Sequence, residues 1–463
     1  MMLRIKFFAS LLLLSLLNAS AQKLNKNDKI TLANLEAHIH YLADDKLEGR
    51  RTGTAGEKAA GDYIISELSK TGVQPKGDNN GWLQAFVIDQ GREITAETSF
   101  SADGRSLVLH RDYFPLALSA TGQVSGSPAI ALQESGVPWF LDLKELLETG
   151  AGNPRFDLPG AIRSKAAACA KKGATALILY NSSKLPDNLG FDPQDRPEAA
   201  VIPVLYVTSA AKRKYLRDES ASVDIRIRVA FAEKQRTGHN VVAYLDNGAA
   251  STVIIGAHYD HLGHGEDSNT LYRGPERVIY NGADDNASGV AAMIELARLL
   301  KESKLRNNNY LFIAFSGKEL GLSGSRYFVE HPATDLKKVN YMLNMDMIGR
   351  LNDTTHALTI GGYGTSPVWG PVFNAARGKQ LFSLHFDSSA AGSGDQSSFY
   401  QAAIPVLFLS TGMHADFHKP GDDYDKINYP GELQVLKFIY EVVEGINARG
   451  RVPFTREIAT NVP

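Results

Sequence analysis

From Asn240 to Ser410 the chain repeats one pattern, a continuous apolar run of strand length followed by a polar break or a segment of helical period. The runs are "NVVAYL", "STVIIGA", "NYLFIAF", "NYMLNM", "HALTIGG" and "IPVLFLS". Successive side chains of a strand point to opposite faces, so a strand that is apolar throughout must be covered on both. Such strands separated by helices predict an α/β fold, a mainly parallel mixed sheet with helices on both faces. The stretch "ASGVAAMIELARLLKES" is one covering helix, with Val290, Met293, Ile294 and Ala297 on a single side.

Sheets of this kind bind ligands outside the carboxyl ends of their strands. Those ends carry chemistry here. "STVIIGAHYD" delivers His258 and Asp260, "NYLFIAFSGKE" delivers Lys318 and Glu319, and "NYMLNMDMIG" delivers Asp346. After "IPVLFLS" comes a loop with His414, Asp416 and His418. In "NGADDNASG", Asp284 and Asp285 stand just before a helix, where either could serve as an N-cap. Imidazoles and carboxylates converging on one sheet edge form a nitrogen–oxygen donor set suited to zinc or a similar divalent metal. Two histidines and three carboxylates exceed what one tetrahedral zinc needs and suffice for two ions if one carboxylate bridges. An aspartate two residues after His258 can hold the imidazole by its other nitrogen.

Other chemistries are not encoded. The chain has no H-E-x-x-H, no phosphate-cradling G-x-x-x-x-G-K-[ST] and no G-x-S-x-G nucleophile turn. A formal net charge of −2 gives no electrostatic footprint for nucleic acid. The single cysteine, Cys169, rules out an internal disulfide and reads as a buried small residue of an Ala-rich helix.

The blocks "GAHYDHLGHG", "YNGADDNASGVAAMIELAR", "LFIAFSGKELGLSGS", "LNMDMIGR" and "FHKPGDDYDKIN" together resemble the co-catalytic dizinc aminopeptidases. That family includes secreted bacterial leucyl aminopeptidases, aminopeptidase Y and glutamate carboxypeptidase II. "LADDKLEGRRTGTAGEKAAGDYI" resembles the family's entry segment, and "GAIRSKAAACAKKGATALILYN" resembles a protease-associated domain. The resemblance implies two Zn2+ ions, with His258 and Asp346 on one, Glu319 and His418 on the other, and Asp285 bridging. It also implies a cis peptide at Asp285–Asn286 and an orienting role for Asp260. The implied activity is hydrolysis of N-terminal residues from peptides through a metal-bridging water.

Lys318 departs from the pattern. It stands where the family has a glutamate that serves as general base, and Phe417 stands where several relatives have a tyrosine. In one reading Lys318 handles the proton itself; in another Asp387 or Asp395 takes over. The alternative is a metal-binding but catalytically impaired protein that acts by binding. The loop "HLGHGEDSNTLYRGPERVIY" is expected to rim the site, with His261 and His264 exposed rather than ligating.

The implied organisation is a signal peptide at 1–21, peptidase segments at 22–114 and 233–463, and a small α/β protease-associated-like insert at 115–232. Arg4 and Lys6, the apolar stretch Phe7 to Leu17 and a cut after Ala21 suit export to the periplasm or beyond the cell. That apolar stretch is too short to span a membrane.

Overall fold

The computed structural model describes residues 24–456 apart from 152, 154, 155 and 393. The expected signal peptide lies outside the described residues. The chain forms two compact units, one built from residues up to 86 and from 238 onward, the other from Val87–Thr237.

A nine-stranded sheet lies mostly in the first unit. Its strands are Gln74–Pro75 (β1), Leu83–Ile94 (β2), Phe231–Leu245 (β3), Thr252–His258 (β4), Asn309–Phe315 (β5), Val339–Met345 (β6), Ala357–Gly361 (β7), Ser383–Phe386 (β8) and Val406–Ser410 (β9). They lie in the order β1-β3-β5-β4-β6-β9-β7-β8, with β2 paired to β3. The centre, β5-β4-β6-β9, is parallel throughout. Antiparallel pairings flank it, β3 on β5 and β7 on β9. The mixed, mainly parallel sheet expected from the apolar runs is therefore observed.

Alternation along each strand divides the core in two. Val253, Ile255 and Ala257 of β4 pack with Phe312 and Ala314 of β5 and Leu343 and Met345 of β6 on one face. The helices Lys26–Leu42 (α1), Ala55–Lys70 (α2), Gly289–Glu302 (α3) and Tyr429–Asn447 (α5) cover that face through Leu35, Ile39, Ile64, Val290, Met293, Ile439 and Val443. Ile254, Leu311, Ile313, Phe315 and Met342 point the other way, against Phe328 of Ser323–Glu330 (α4) and Phe399. All seven residues of β4 are buried, as are all seven of β5 and of β6. Burying each such side chain contributes about 1.5–3 kcal/mol, which makes the sheet centre a rigid platform.

The second unit has an antiparallel sheet built on Ile225–Val229 and a mixed sheet of Tyr113–Pro115, Val204–Val207, Leu177–Tyr180 and Trp139–Asp142. Helix Leu158–Lys171 lays Ile162, Ala166 and the buried Cys169 in the core beside Leu177, Leu179 and Trp139. The apolar run Pro128–Gln133 forms no strand. Ala129 makes an isolated bridge to Ser222, and Leu132 is exposed. Pro128 has no N–H to offer a ladder.

Candidate metal centre

The four parallel strands end at one edge, and their last residues set the site. His258 closes β4, Asp346 follows β6, Lys318 and Glu319 follow β5, and the loop after β9 runs to His418. Asp285 comes from the wide turn Ala283–Ser288 that leads into α3. Within this turn the Asp285–Asn286 peptide is cis. Asn286 holds the turn to β6, donating from Nδ2 to the Met345 carbonyl at 2.9 Å and accepting from the Met347 N–H at 3.1 Å. Asp422 accepts from the backbone N–H groups of Asp284 at 3.0 Å and Asp285 at 2.9 Å.

Two clusters of donors overlap at Asp285. His258 Nε2 lies 3.2 Å from Asp285 Oδ1 and 3.6 Å from Asp346 Oδ1. His418 Nε2 lies 3.3 Å from Asp285 Oδ2 and 3.4 Å from Glu319 Oε2. Donors about 2.0–2.1 Å from a tetrahedral zinc stand about 3.3–3.4 Å from one another, and these separations of 3.2–3.6 Å lie close to that spacing. His258 Nε2, His418 Nε2 and Asp285 Oδ2 are buried and have no hydrogen-bond partner. Buried polar atoms are ordinarily satisfied, and the donor set fits divalent metal.

The remaining ring nitrogens are held from behind. His418 Nδ1 pairs with the Asn269 carbonyl at 2.8 Å, and His258 Nδ1 with the Asp260 carbonyl at 3.1 Å. The Asp260 carboxylate is 3.7 Å from His258 Nδ1. It also accepts from the backbone N–H groups of Lys318 at 3.1 Å and Glu319 at 3.2 Å, and from Thr52 Oγ1 at 3.0 Å. Asp260 thus fastens the end of β5 to the end of β4. Asp284 is turned away, bonded to Ser288 Oγ at 2.9 Å and to the Gly349 N–H at 2.7 Å.

Lys318 Nζ sits among the carboxylates, 3.4 Å from Asp285 Oδ1, 3.3 Å from Glu319 Oε1 and 3.6 Å from Asp346 Oδ2. Burial opposes its charge, but Asp285, Asp346, Glu319 and Asp260 outweigh burial and hold its pKa well above the ordinary lysine value. Burial likewise opposes ionisation of Asp285; Lys318, His261 and the facing imidazoles of His258 and His418 overcome it and keep the carboxyl well below its usual range. The His418 imidazole is pushed up to about 10, because Asp285 and Glu319 outweigh its desolvation.

Asp395 is fully buried, with both oxygens unpartnered, and Asp387 is exposed. Phe417 stacks on the His418 ring at 4.0 Å. One expectation is corrected. His261 is buried rather than exposed, with its side chain inaccessible and Nδ1 3.6 Å from Glu319 Oε1. His264 is partly exposed. The sequence pattern does not single out Arg50. It is buried and donates to the carbonyls of Leu42, Tyr259 (2.8 Å), Asn281 (2.6 Å) and Gly282 (3.0 Å). It thereby ties α1 to the loops that carry His258 and Asp285. Its place in "GRRTG" ahead of α2 is a weak signal.

A parallel sheet with buried imidazoles and carboxylates at its carboxyl edge defines a metal-binding α/β protein. The sequence profile of Peptidase family M28 matches residues 240–443. An aminopeptidase of Pseudomonas aeruginosa is 30% identical over 389 residues, which is 78% of this chain and 67% of that protein. The chain belongs to peptidase family M28. A probable leucine aminopeptidase 2 of Aspergillus oryzae is 27% identical over 422 residues, covering 83% of this chain and 77% of that protein. The aminopeptidase YwaD of Bacillus subtilis is 26% identical over 85% of this chain and 81% of its own length. Among solved structures, BSAP, a zinc aminopeptidase from Bacillus subtilis, superposes with a TM-score of 0.49 at 21% identity, covering 91% of this chain and 95% of that one.

Proposed function

We propose that this protein is an exported zinc-dependent aminopeptidase that removes N-terminal residues from peptides. The observation that carries the reading is the pair of donor clusters sharing Asp285 at the carboxyl edge of the sheet, His258 and Asp346 on one side and His418 and Glu319 on the other. His258 and Asp346 would hold one zinc, Glu319 and His418 the other, and Asp285 both. Zinc bound there supplies a Lewis acid for the peptide carbonyl and activates water.

The chain's own groups do the rest. Asp260 positions Glu319 through its backbone N–H and sets His258 in register with it. Asn286 and Asp422 hold Asp285 from the opposite side. Lys318 Nζ, lying within 3.6 Å of three carboxylates, is the group we assign to proton transfer. Residues 115–232 act as a protease-associated-like insert that shapes access or contacts a partner, since the donors come from the flanking segments. Export rests on the N-terminal "MMLRIKFFASLLLLSLLNASAQ", which directs the protein to the periplasm or outside the cell.

A second reading is favoured by the seat of Lys318. An ammonium among the ligands, where a carboxylate base would serve, suits a metal-binding protein with impaired turnover. Hydrolysis of aminoacyl and dipeptide substrates, with free and blocked N-termini, by zinc-loaded wild type and Lys318→Glu separates the two. Turnover of free N-termini by wild type, abolished by chelation, supports the aminopeptidase. An inert wild type that binds zinc, beside an active Lys318→Glu, overturns it in favour of the second reading.

A further inference from the structure

Beside the two donor clusters stands a further buried imidazole. His261 lies three residues after His258 in the same loop, with no accessible side-chain surface. Neither ring nitrogen has a hydrogen-bond partner. Its Nδ1 faces Glu319 Oε1 at 3.6 Å and Asp285 Oδ2 at 3.8 Å, on the same pair of carboxylates that His418 faces at 3.4 and 3.3 Å. The two imidazoles stand nearly perpendicular, at 76° with centroids 5.9 Å apart.

The backbone is shaped around this ring. Gly282 has φ +57, and a Cβ there would lie 2.5 Å from His261 Cδ2 and 2.6 Å from its Cγ. Arg50 accepts the His261 N–H through its carbonyl at 3.3 Å while its guanidinium holds the Gly282 carbonyl at 3.0 Å. One residue thus sets both walls of the slot. An imidazole left in such a slot with no hydrogen-bond partner costs folding free energy. A metal on Asp285 and Glu319 removes that cost.

We propose that His261 is a metal ligand, completing with His418, Asp285 and Glu319 a four-donor shell of two imidazoles and two carboxylates. The assignment rests on the dizinc reading above and adds a residue to it. Its consequence is that the two ions are unequal. The ion on His258, Asp285 and Asp346 has three protein donors, which leaves a coordination position open for chemistry. The ion on the His261 side has four, the closed shell of a structural site. The closed ion binds first and leaves last.

The test uses the whole chain with Zn2+ and no substrate. X-ray absorption at the zinc edge counts imidazoles. The expected result for wild type is two zincs sharing three imidazoles, with zinc-edge anomalous density about 2.0–2.1 Å from a His261 ring nitrogen. Stripped wild type titrated with Zn2+ fills one site before the other. In His261→Ala and His261→Gln the imidazole count falls to two and affinity at the tighter site drops by about 100-fold or more. Partners outside the ligand shell already account for about 10–100-fold, and a ligand should exceed them. Two zincs with two imidazoles in wild type, or anomalous density beyond hydrogen-bond reach of His261, overturns the assignment and leaves the dizinc reading standing. A wild-type chain that takes up no zinc overturns both. The absorption and anomalous measurements are made on wild type, so a variant that fails to fold does not protect the proposal.

Discussion

Lys318 is the residue whose chemistry most affects the rest of the site. Without metal its ammonium offsets part of the charge of Asp285, Glu319 and Asp346, and removing one partner of a buried charge cluster costs about 3–5 kcal/mol. Lys318→Ala is therefore expected to lower the stability of chelated protein by that amount in urea unfolding. Zinc should restore most of the loss, because the dications replace the missing charge. Equal destabilisation with and without zinc would refute this role. Asp395 gives a second prediction at this scale. Burial first, and then the nearby Asp260 and Asp346 charges, lift its carboxyl to about 6. An acid whose pKa is raised on folding contributes stability that is complete below about pH 4 and is lost as pH rises to about 6. Two units correspond to about 3 kcal/mol. Asp395→Asn should thus match wild type less and less between pH 4 and 6, ending about 3 kcal/mol ahead of it in chelated protein at pH 7. Parallel pH profiles for the two would contradict that origin.

The elements matter for how they are fastened. Neither the β4 end nor the Ala283–Ser288 turn is free: Arg50 and Asp422 bond their backbones, and from these segments Asp260 and Asn286 reach the backbone after β5 and at the end of β6. Gly282 is the critical joint. Its φ is left-handed and an added Cβ would lie 2.2 Å from the Asp285 carbonyl oxygen. Gly282→Ala should cost about 2 kcal/mol or more and displace Asp285 from its shared position. Zinc affinity should then fall by at least about tenfold, read by competition with a chelator. Arg50→Leu leaves three or more buried carbonyls unpaired, at about 1–3 kcal/mol each where no other donor replaces it. Its expected result is a lowered unfolding midpoint together with weaker metal binding.

At the scale of the molecule, each compact unit has its own hydrophobic cores. All the candidate metal donors belong to the unit outside Val87–Thr237. Independent cores allow independent melting, and a ligand stabilises only the unit that binds it. Calorimetry should resolve two transitions, and adding zinc to chelated protein should raise one while leaving the other in place. A single transition that moves as a whole with zinc would show the units to be coupled.

Much of this protein was legible in its sequence, for a physical reason. A strand buried on both faces has no polar positions to spare, so β4, β5, β6 and β9 announced themselves as apolar runs, and the polar residue that ends each run fell at the sheet's carboxyl edge. His258, Lys318, Glu319 and Asp346 could be named on that ground alone. Direction at the sheet's flank was not legible, since the antiparallel pairing of β7 on β9 depends on which neighbour a strand meets. Nor was the fate of loop residues. His261 reads as a rim histidine until the slot beside Gly282 and the Asp285–Glu319 pair are seen together. Arg50 reads as one basic residue among many until four carbonyls converge on it. Periodicity along the chain encodes burial, whereas contacts between segments some 200 residues apart are decided only when tertiary packing brings them to one edge.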